Sequence, residues 1–201
     1  MEALKAPYVV LYGFCFFCVK FAVYAILLWM PMYLKETHSF DNRKIANVMS
    51  LYETGTIFGT VVLGLLSDKN EGARRSPTAI ASISIALLIS LSFVVFYDSY
   101  PPTLWLISMF FYGFFLGSIH HMICVTITAD LGRSHSKSAT STITGIIDGI
   151  GSSGNGAGQV FLGGMIQGFG WRYGFLLPVT FAVGGTLIPL TRIFFNERRE
   201  L

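Results

Sequence analysis

Charged residues are scarce in this sequence. Only 12% of its 201 residues are Asp, Glu, Lys or Arg, whereas a soluble domain carries about 25%. Apolar residues make up 53%, and the mean hydropathy is +0.60. The formal net charge of +3 is small, and no basic run carries interleaved aromatic residues, so nothing here indicates nucleic-acid binding. The composition therefore indicates a membrane protein rather than a soluble domain with a large core.

Cysteines are few, and no residue pattern of an enzyme is present. Cys15, Cys18 and Cys124 all fall in apolar stretches. The first two form a CxxC pair, but it has no second pair and no nearby histidine, so small residues of a membrane helix are the better interpretation. No nucleophile–base set and no metal-ligand spacing occurs. We therefore predict that the chain is not an enzyme and has no metal site and no cofactor.

Six apolar segments follow one another along the chain. They cover residues 7–34, 45–66, 78–97, 103–128, 139–167 and 173–195, approximately. Each is long enough to cross ~30 Å of hydrocarbon at ~1.5 Å per residue. A spanning segment satisfies its backbone hydrogen bonds internally when it is helical. The predicted fold is therefore an all-α membrane protein, with residues 1–201 forming one six-helix domain.

Basic residues are distributed unequally between the two sides that these segments imply. One side carries nine of them: Lys5, Lys69, Arg74, Arg75, Arg133, Lys137, Arg192, Arg198 and Arg199. The other side carries four: Lys35, Arg43, Lys44 and Arg172. Cytoplasmic loops of membrane proteins carry an excess of Lys and Arg. We therefore expect both termini to be cytoplasmic.

Several polar groups lie inside the apolar segments. Lys20 is about twelve residues into the first segment, or ~18 Å deep by helical rise, and intramembrane charge is usually functional. Segment two carries Glu53, and segment four carries His120 and His121. Segment five carries a polar stripe at helical spacing: Thr144, Asp148, Ser152, Asn155 and Gln159. We predict that segments one, two, four and five line a water-filled cavity, while three and six face lipid.

Structural roles are the alternative for the same residues. Lys20 could pair with Glu53 or Asp148 as a bridge inside the bundle, and each histidine could be buried and hydrogen-bonded rather than handle protons or substrate. The pairs Gly55/Gly59, Gly113/Gly117, Gly145/Gly149 and Gly154/Gly158 have GxxxG spacing. Small residues at this spacing let helix backbones approach closely, so we predict close packing there.

The loop between segments two and three carries a specific motif. Gly64, Asp68, Lys69, Gly72, Arg74 and Arg75 resemble the Gly-x-x-x-Asp-(Arg/Lys)-x-Gly-Arg-Arg loop of the major facilitator superfamily, with slight length variation. In that family the motif follows the second helix of each six-helix half. The resemblance implies that Gly64, Asp68, Lys69, Arg74 and Arg75 form a charge latch that opens as the protein changes conformation.

Longer stretches resemble one group of that superfamily, the organophosphate:phosphate antiporters. "LYETGTIFGTVVLGLLSDK" is similar to the eighth helix of the bacterial members. "VKFAVYAILLWMPMYL", "ADLG" and "TGIIDGIGSSG" look closer to the eukaryotic sugar-phosphate exchangers. The resemblance covers essentially the whole chain but only helices seven to twelve of the family fold. It implies exchange of a phosphorylated sugar or glycerol phosphate for inorganic phosphate.

The resemblance also implies roles for individual residues. Lys20 would be the cation that faces the phosphate, and Glu53 would be its resting partner, with Asp148 as the alternative. Bacterial members have an arginine where this chain has Val23 and an aspartate where it has Leu28, so the fine geometry differs. The residues expected to bind substrate are Lys20, Tyr24, Glu53, His120, Asp148 and Asn155.

The N-terminal six-helix half, with the other phosphate-binding cation of the family, has no counterpart in this sequence. We therefore expect the chain alone not to transport. The partners implied are a small phosphorylated organic anion, inorganic phosphate and a lipid bilayer, with no nucleic acid. A non-transporting fragment or partner subunit, and a transporter of another organic anion such as a carboxylate, are the alternatives. The eukaryotic relatives imply the endoplasmic reticulum or another endomembrane rather than the plasma membrane.

Overall fold

A computed structural model describes residues 8–69, 75–135 and 140–199, and the regular elements in these ranges are helices. The α-helices are α1 Val9–His38, α2 Asn42–Asp68, α3 Ser76–Val95, α4 Pro102–Tyr112, α5 Ser118–His121, α6 Thr128–His135, α7 Thr140–Trp171, α8 Leu177–Gly185 and α9 Leu187–Arg199. Short π-helical turns at Gly113–Gly117, Met122–Ile127 and Arg172–Leu176 join α4 to α5, α5 to α6 and α7 to α8. The predicted all-α membrane fold is confirmed.

Within the described ranges, five helical stretches are long and apolar enough to cross a membrane, and the last, Thr140–Glu197, has 58 residues. This stretch is not one straight helix. Gly170 has φ 71° and ψ −176°, outside the helical region. A methyl group on Gly174 would collide with the backbone of Met165, whereas residues nine apart in a straight helix are ~13 Å apart. The chain therefore folds back at Gly170, and the described ranges contain six long segments.

The helix ends lie in two clusters that define the two faces of the bundle. At one end, Trp171 Nε1 donates to Glu36 Oε2 at 3.1 Å. At the other end, Ser76 Oγ donates to the carboxylate of Glu197. Because α1 begins at Val9 and runs to His38 beside the first cluster, both ends of the described chain lie on the side of Ser76. Helix α1 continues four residues past its predicted end at residue 34, through the polar "KETH".

Glycines allow α2 to pack backbone-to-backbone against the fourth segment, α4 to α6. A Cβ on Gly55 would collide with the carbonyl of Phe110, and one on Gly59 with the carbonyl of Phe114. The contact is reciprocal, since a Cβ on Gly113 would collide with the carbonyl of Tyr52. The packing predicted for these GxxxG pairs is therefore confirmed.

The two glycine pairs of α7 behave differently. Gly154 and Gly158 pack against α1, where added Cβ atoms would collide with Phe17 and Phe21. Cβ atoms on Gly145 and Gly149 would meet no described atom within 4 Å. The prediction of close packing is therefore wrong for this second pair within the described chain. Gly145 and Gly149 have the same spacing as the first pair, but they lie on a face of α7 that no described helix covers.

The third segment and the sixth, α8 with α9, pack against each other at the edge of the bundle. Their contact includes a buried hydrogen bond between Ser90 Oγ and Thr180 Oγ1 at 2.7 Å. Large apolar side chains on their outer faces are exposed, including Leu88, Phe181 and Ile188. This arrangement agrees with two lipid-facing segments, and it leaves α1, α2, α7 and the fourth segment to position the polar groups.

Candidate functional site

Lys20 lies well inside α1, about 16 Å along the helix axis from Val9 at 1.5 Å per residue. Its side chain is 9% exposed, and Nζ donates to Asp148 Oδ1 at 2.7 Å and to Ser152 Oγ at 2.8 Å. The ammonium also lies 5.0 Å from the centre of the Phe16 ring. An ammonium has three donors, so one remains without a hydrogen-bond acceptor among the described residues. The Asp148 side chain is 47% exposed, so the pair is open on the carboxylate side.

The polar stripe of α7 faces α1 beyond this pair. Gln159 Oε1 accepts from Trp29 Nε1 at 2.8 Å, and Gln159 Nε2 donates to Asn155 Oδ1 at 3.2 Å. Asn155 follows Ser152 by about one helical turn, so it extends the same polar face. The hydrogen bonds from Lys20 and Trp29 therefore fix α7 against α1 along the stripe that the spacing predicted.

A cavity of about 180 Å³ lies between α1, α2 and the fourth segment. It is lined by Val23, Tyr24, Leu27, Tyr52, Glu53, Thr56, Gly117, His120 and His121. Three of the predicted substrate-binding residues, Tyr24, Glu53 and His120, thus meet at one place. The other three, Lys20, Asp148 and Asn155, lie at the α1–α7 contact and do not line this cavity.

His120 stands between the two groups. Its ring centre is 5.2 Å from that of Phe16 and 6.2 Å from that of Tyr24. The Phe16 ring is the one that contacts the Lys20 ammonium. Its Nε2 is buried and has no hydrogen-bond partner among the described residues. This nitrogen therefore does not support the alternative, in which His120 is a buried, hydrogen-bonded structural residue. His120 instead links the cavity to the lysine pair by ring contacts.

Two π-helical turns flank the short helix that carries His120 and His121. A π-turn adds a residue to the helical turn and is frequent at functional sites. Sequence reasoning missed both turns, since no residue pattern in "YGFFLGSIHHMICVTI" distinguishes a π-turn from a regular one. It also left Ser152 and Tyr52 out of the expected site, although one holds Lys20 and the other lines the cavity.

Glu53 does not pair with Lys20. It lies on α2 across the small cavity, with its side chain exposed, and makes no ion pair among the described residues. The expectation of a resting Lys20–Glu53 pair is wrong in this structure, and the alternative partner, Asp148, is the one found. The physical reason is that α1 packs along α7, so Asp148 and Ser152 reach the ammonium first.

Arg75 joins two segments at the other end of the bundle. Its Nε donates to Asp130 Oδ2 at 2.6 Å, and its Nη1 donates to Asp68 Oδ1 at 2.7 Å and Ser67 Oγ at 3.3 Å. Partial burial alone lowers the pKa of Arg75, but its hydrogen bonds to Asp130 and Asp68 outweigh burial and raise that pKa above its ordinary value. Arg75 therefore stays cationic between two carboxylates.

Gly64 and Lys69, the other loop-motif residues that the structure describes, do not take part in this contact. Gly64 has open space where a Cβ would lie, and the Lys69 side chain is exposed. Arg74 lies outside the described residues. The sequence motif identified Asp68 and Arg75, but it did not identify Asp130, which lies 55 residues farther along the chain than Arg75.

Comparison with known families places the whole arrangement in context. A sequence profile described as Major Facilitator Superfamily matches residues 12–201. The chain belongs to the major facilitator superfamily. Within this superfamily, a six-helix bundle corresponds to about half of the fold, which agrees with the six segments found here.

Individual relatives show which members of the superfamily the chain is similar to. The chain is 30% identical to sugar phosphate exchanger 3 of Gallus gallus, over 98% of this chain and 41% of the relative. It is 32% identical to the glucose-6-phosphate exchanger SLC37A2 of Danio rerio, over 98% of this chain and 40% of the relative. It is 31% identical to the putative glycerol-3-phosphate transporter 4 of Arabidopsis thaliana, over 100% of this chain and 37% of the relative. The chain thus spans about two fifths of the length of these curated relatives, all of which are named as exchangers or transporters.

Proposed function

We propose that this chain is the C-terminal half of a major facilitator antiporter that exchanges a phosphorylated sugar or glycerol phosphate for inorganic phosphate by alternating access. The observation that carries the proposal is the buried Lys20 ammonium inside α1, which has one carboxylate partner, one hydroxyl partner and one spare donor. In this proposal Lys20 is the cation that receives the phosphate group.

Electrostatics favours competition between phosphate and Asp148 for Lys20. At 2.7 Å and an effective dielectric constant of ~20, one pair of unit charges gains about 6 kcal/mol before desolvation is counted. A phosphate monoester carries about −1.5 to −2 charges near neutral pH, against −1 for a carboxylate. Phosphate therefore attracts the ammonium more strongly than Asp148 does. Asp148 holds the Lys20 ammonium by a hydrogen bond when substrate is absent.

The small cavity beside the pair would hold the remainder of the substrate. Its 180 Å³ is below the ~300–1,000 Å³ of a typical small-molecule site. A cavity this small is expected if a second half supplies the opposite wall, as in transporters whose sites lie between two repeats. Tyr24, Glu53 and His120 would offer hydroxyl, carboxylate and imidazole groups to the organic part, and Asn155 an amide on the α7 side.

The Asp68–Arg75–Asp130 contact would act during the conformational change. Arg75 ties α2 to α6 at the end of the bundle where the described chain begins and ends. Two charge-assisted hydrogen bonds hold this end together until the segments separate. The excess of Lys and Arg on this side supports a cytoplasmic position for both termini. The similarity to the sugar phosphate exchangers supports an endomembrane location.

Fusion to a second half tests the proposal. The N-terminal half of the Gallus gallus sugar phosphate exchanger 3 is joined to this chain, reconstituted into phosphate-loaded vesicles, and assayed for uptake of radiolabelled phosphate. We expect uptake that glucose 6-phosphate or glycerol 3-phosphate inhibits and that citrate does not. Inhibition by citrate alone would indicate a carboxylate transporter instead.

The unfused chain provides the second arm. We expect vesicles that contain this polypeptide alone to show no phosphate exchange above protein-free vesicles. Exchange by the unfused chain would contradict its proposed role as one half of the site. A fused protein that inserts and is stable but exchanges none of these anions would instead support a non-transporting partner subunit.

A further inference from the structure

An open apolar groove of about 580 Å³ lies between α1, α7 and α8. Phe17 and Phe21 form its floor on α1, Ala157 and Phe161 form one wall on α7, and Phe181 contributes from α8. Phe161 and Phe181 are more than half exposed, so the groove opens to the surroundings of the bundle. In a membrane those surroundings are lipid or another protein.

The length of the groove matches one leaflet of a bilayer. Its lining on α7 extends from Gly154 to Met165, which is about 16 Å of helix at 1.5 Å per residue. Half of a ~30 Å hydrocarbon core is ~15 Å. The groove reaches the bundle end at Tyr173, next to Trp171, and aromatic residues of this kind mark the interface between hydrocarbon and water. The groove therefore extends from the interface to the bilayer centre.

A cation lies at the interfacial end of the groove. The Arg172 guanidinium carbon lies 5.8 Å from the ring centre of Tyr173, which lines the groove, and 5.7 Å from that of Tyr97. Its Nη1 is 3.8 Å from Asp98 Oδ2, which is too long for a hydrogen bond. The side chain is 35% exposed, and its guanidinium makes no hydrogen bond among the described residues. Arg172 thus presents donors suited to a phosphate at the depth of lipid headgroups.

We propose that this groove is a glycerophospholipid site, in which one acyl chain lies between α1, α7 and α8 and the headgroup phosphate binds Arg172. The apolar lining, the one-leaflet length and the cation at the mouth together match an amphiphile with an anionic head and a single leaflet-deep tail. A free phosphate would not use the apolar lining, and an uncharged lipid would not use Arg172. The site does not depend on what the protein transports.

Photo-crosslinking in a defined bilayer tests the site. The full chain is placed in phosphatidylcholine nanodiscs that contain a phosphatidylglycerol probe with a diazirine in one acyl chain. After irradiation, we expect adducts to concentrate on Phe161 and Phe181. Exposed apolar residues outside the groove, such as Val160 and Ile188, should be labelled less. Equal labelling of all four residues would overturn the proposal.

Two matched pairs of variants separate the tail from the headgroup. Ala157→Trp fills the groove and should abolish labelling of Phe161, whereas Val160→Trp on the outer face of α7 should not. Arg172→Gln should lower labelling by phosphatidylglycerol about fivefold, since it removes a charged hydrogen bond at a partly exposed site. Arg43→Gln, an exposed arginine at the same end of the bundle, should leave it unchanged.

A diacylglycerol carrying the same diazirine chain shows whether the phosphate matters. We expect this probe to label the groove weakly and equally in the wild-type chain and in Arg172→Gln. Arg172→Lys keeps the charge and should retain most phosphatidylglycerol labelling, which shows that the position tolerates substitution. If Arg172→Gln lowered labelling by both probes equally, the proposed phosphate contact would be overturned.

Discussion

Asp148→Asn should destabilise the chain more than Lys20→Met, although each substitution removes the same ion pair. The two partners are buried unequally, at 9% exposure for the Lys20 side chain and 47% for Asp148. Without the carboxylate, the ammonium stays buried with Ser152 Oγ and an amide as its remaining neighbours. Without the ammonium, water reaches the half-exposed carboxylate. The burial difference therefore predicts the order of the two effects.

The magnitude follows from that asymmetry. Leaving one charge of a buried pair uncompensated costs about 3–5 kcal/mol. The open side of Asp148 lowers this estimate for Asp148→Asn to about 3 kcal/mol, and it lowers the effect of Lys20→Met to about 1 kcal/mol, near that of an exposed pair. For a domain of this size, 1 kcal/mol shifts the Tm by ~2–4 °C, so Asp148→Asn should lower the Tm by roughly 6–12 °C.

Thermal unfolding of the detergent-solubilised chain, followed by intrinsic fluorescence, measures these shifts. The double variant Lys20→Met/Asp148→Asn removes both charges and should be more stable than Asp148→Asn alone, with a Tm close to that of Lys20→Met. If the effects of the two single substitutions simply added in the double variant, the side chains would not be coupled. That result, or a larger effect of Lys20→Met than of Asp148→Asn, would contradict unequal burial of the two charges as the cause.

Further predictions concern the charge latch and the glycine contacts. Arg75→Gln should lower the Tm by roughly 2–6 °C, since it removes two charge-assisted hydrogen bonds to half-exposed carboxylates, while Lys69→Gln should change nothing; equal shifts in the two variants would contradict the latch. Gly55→Leu should cost about 3 kcal/mol or more through overpacking against the backbone of Phe110 and should abolish a monodisperse peak in fluorescence-detected size exclusion. Gly149→Leu, at a position where the isolated chain has open space, should elute like the wild type. If both variants lost the monodisperse peak, the collision with Phe110 would not explain the loss in Gly55→Leu.

The sequence was sufficient to predict the six apolar segments and the polar face of α7, because apolar run length and helical periodicity are both local properties. Asp148 and Ser152 are four residues apart, so helical geometry alone places them on one face. Which helix that face meets depends on how the segments pack. This is why the sequence offered both Glu53 and Asp148 as partners of Lys20, and why the preferred one was wrong.

The glycine pairs show the same limit. Gly55/Gly59 and Gly145/Gly149 have identical spacing, yet the first pair is in backbone contact and the second meets no described atom. Spacing identifies a face that permits close approach, whereas the presence of a partner is a tertiary property. Asp130 was missed for a related reason, since its contact with Arg75 joins residues far apart in the chain, and a loop motif records neighbours in sequence only.

Phosphate exchange by Lys20 variants of the fused protein tests whether Lys20 is the phosphate-binding cation. Loss of a charged contact to the substrate, at about 1.5–3 kcal/mol, corresponds to roughly ten- to a hundredfold. Lys20→Ala should therefore reduce radiolabelled phosphate exchange by about that factor, while Lys44→Ala, an exposed lysine in the first turn of α2, should exchange at the rate of the unsubstituted fusion. Exchange by Lys20→Ala at that same unsubstituted rate would contradict the assignment of Lys20 as the phosphate-binding cation.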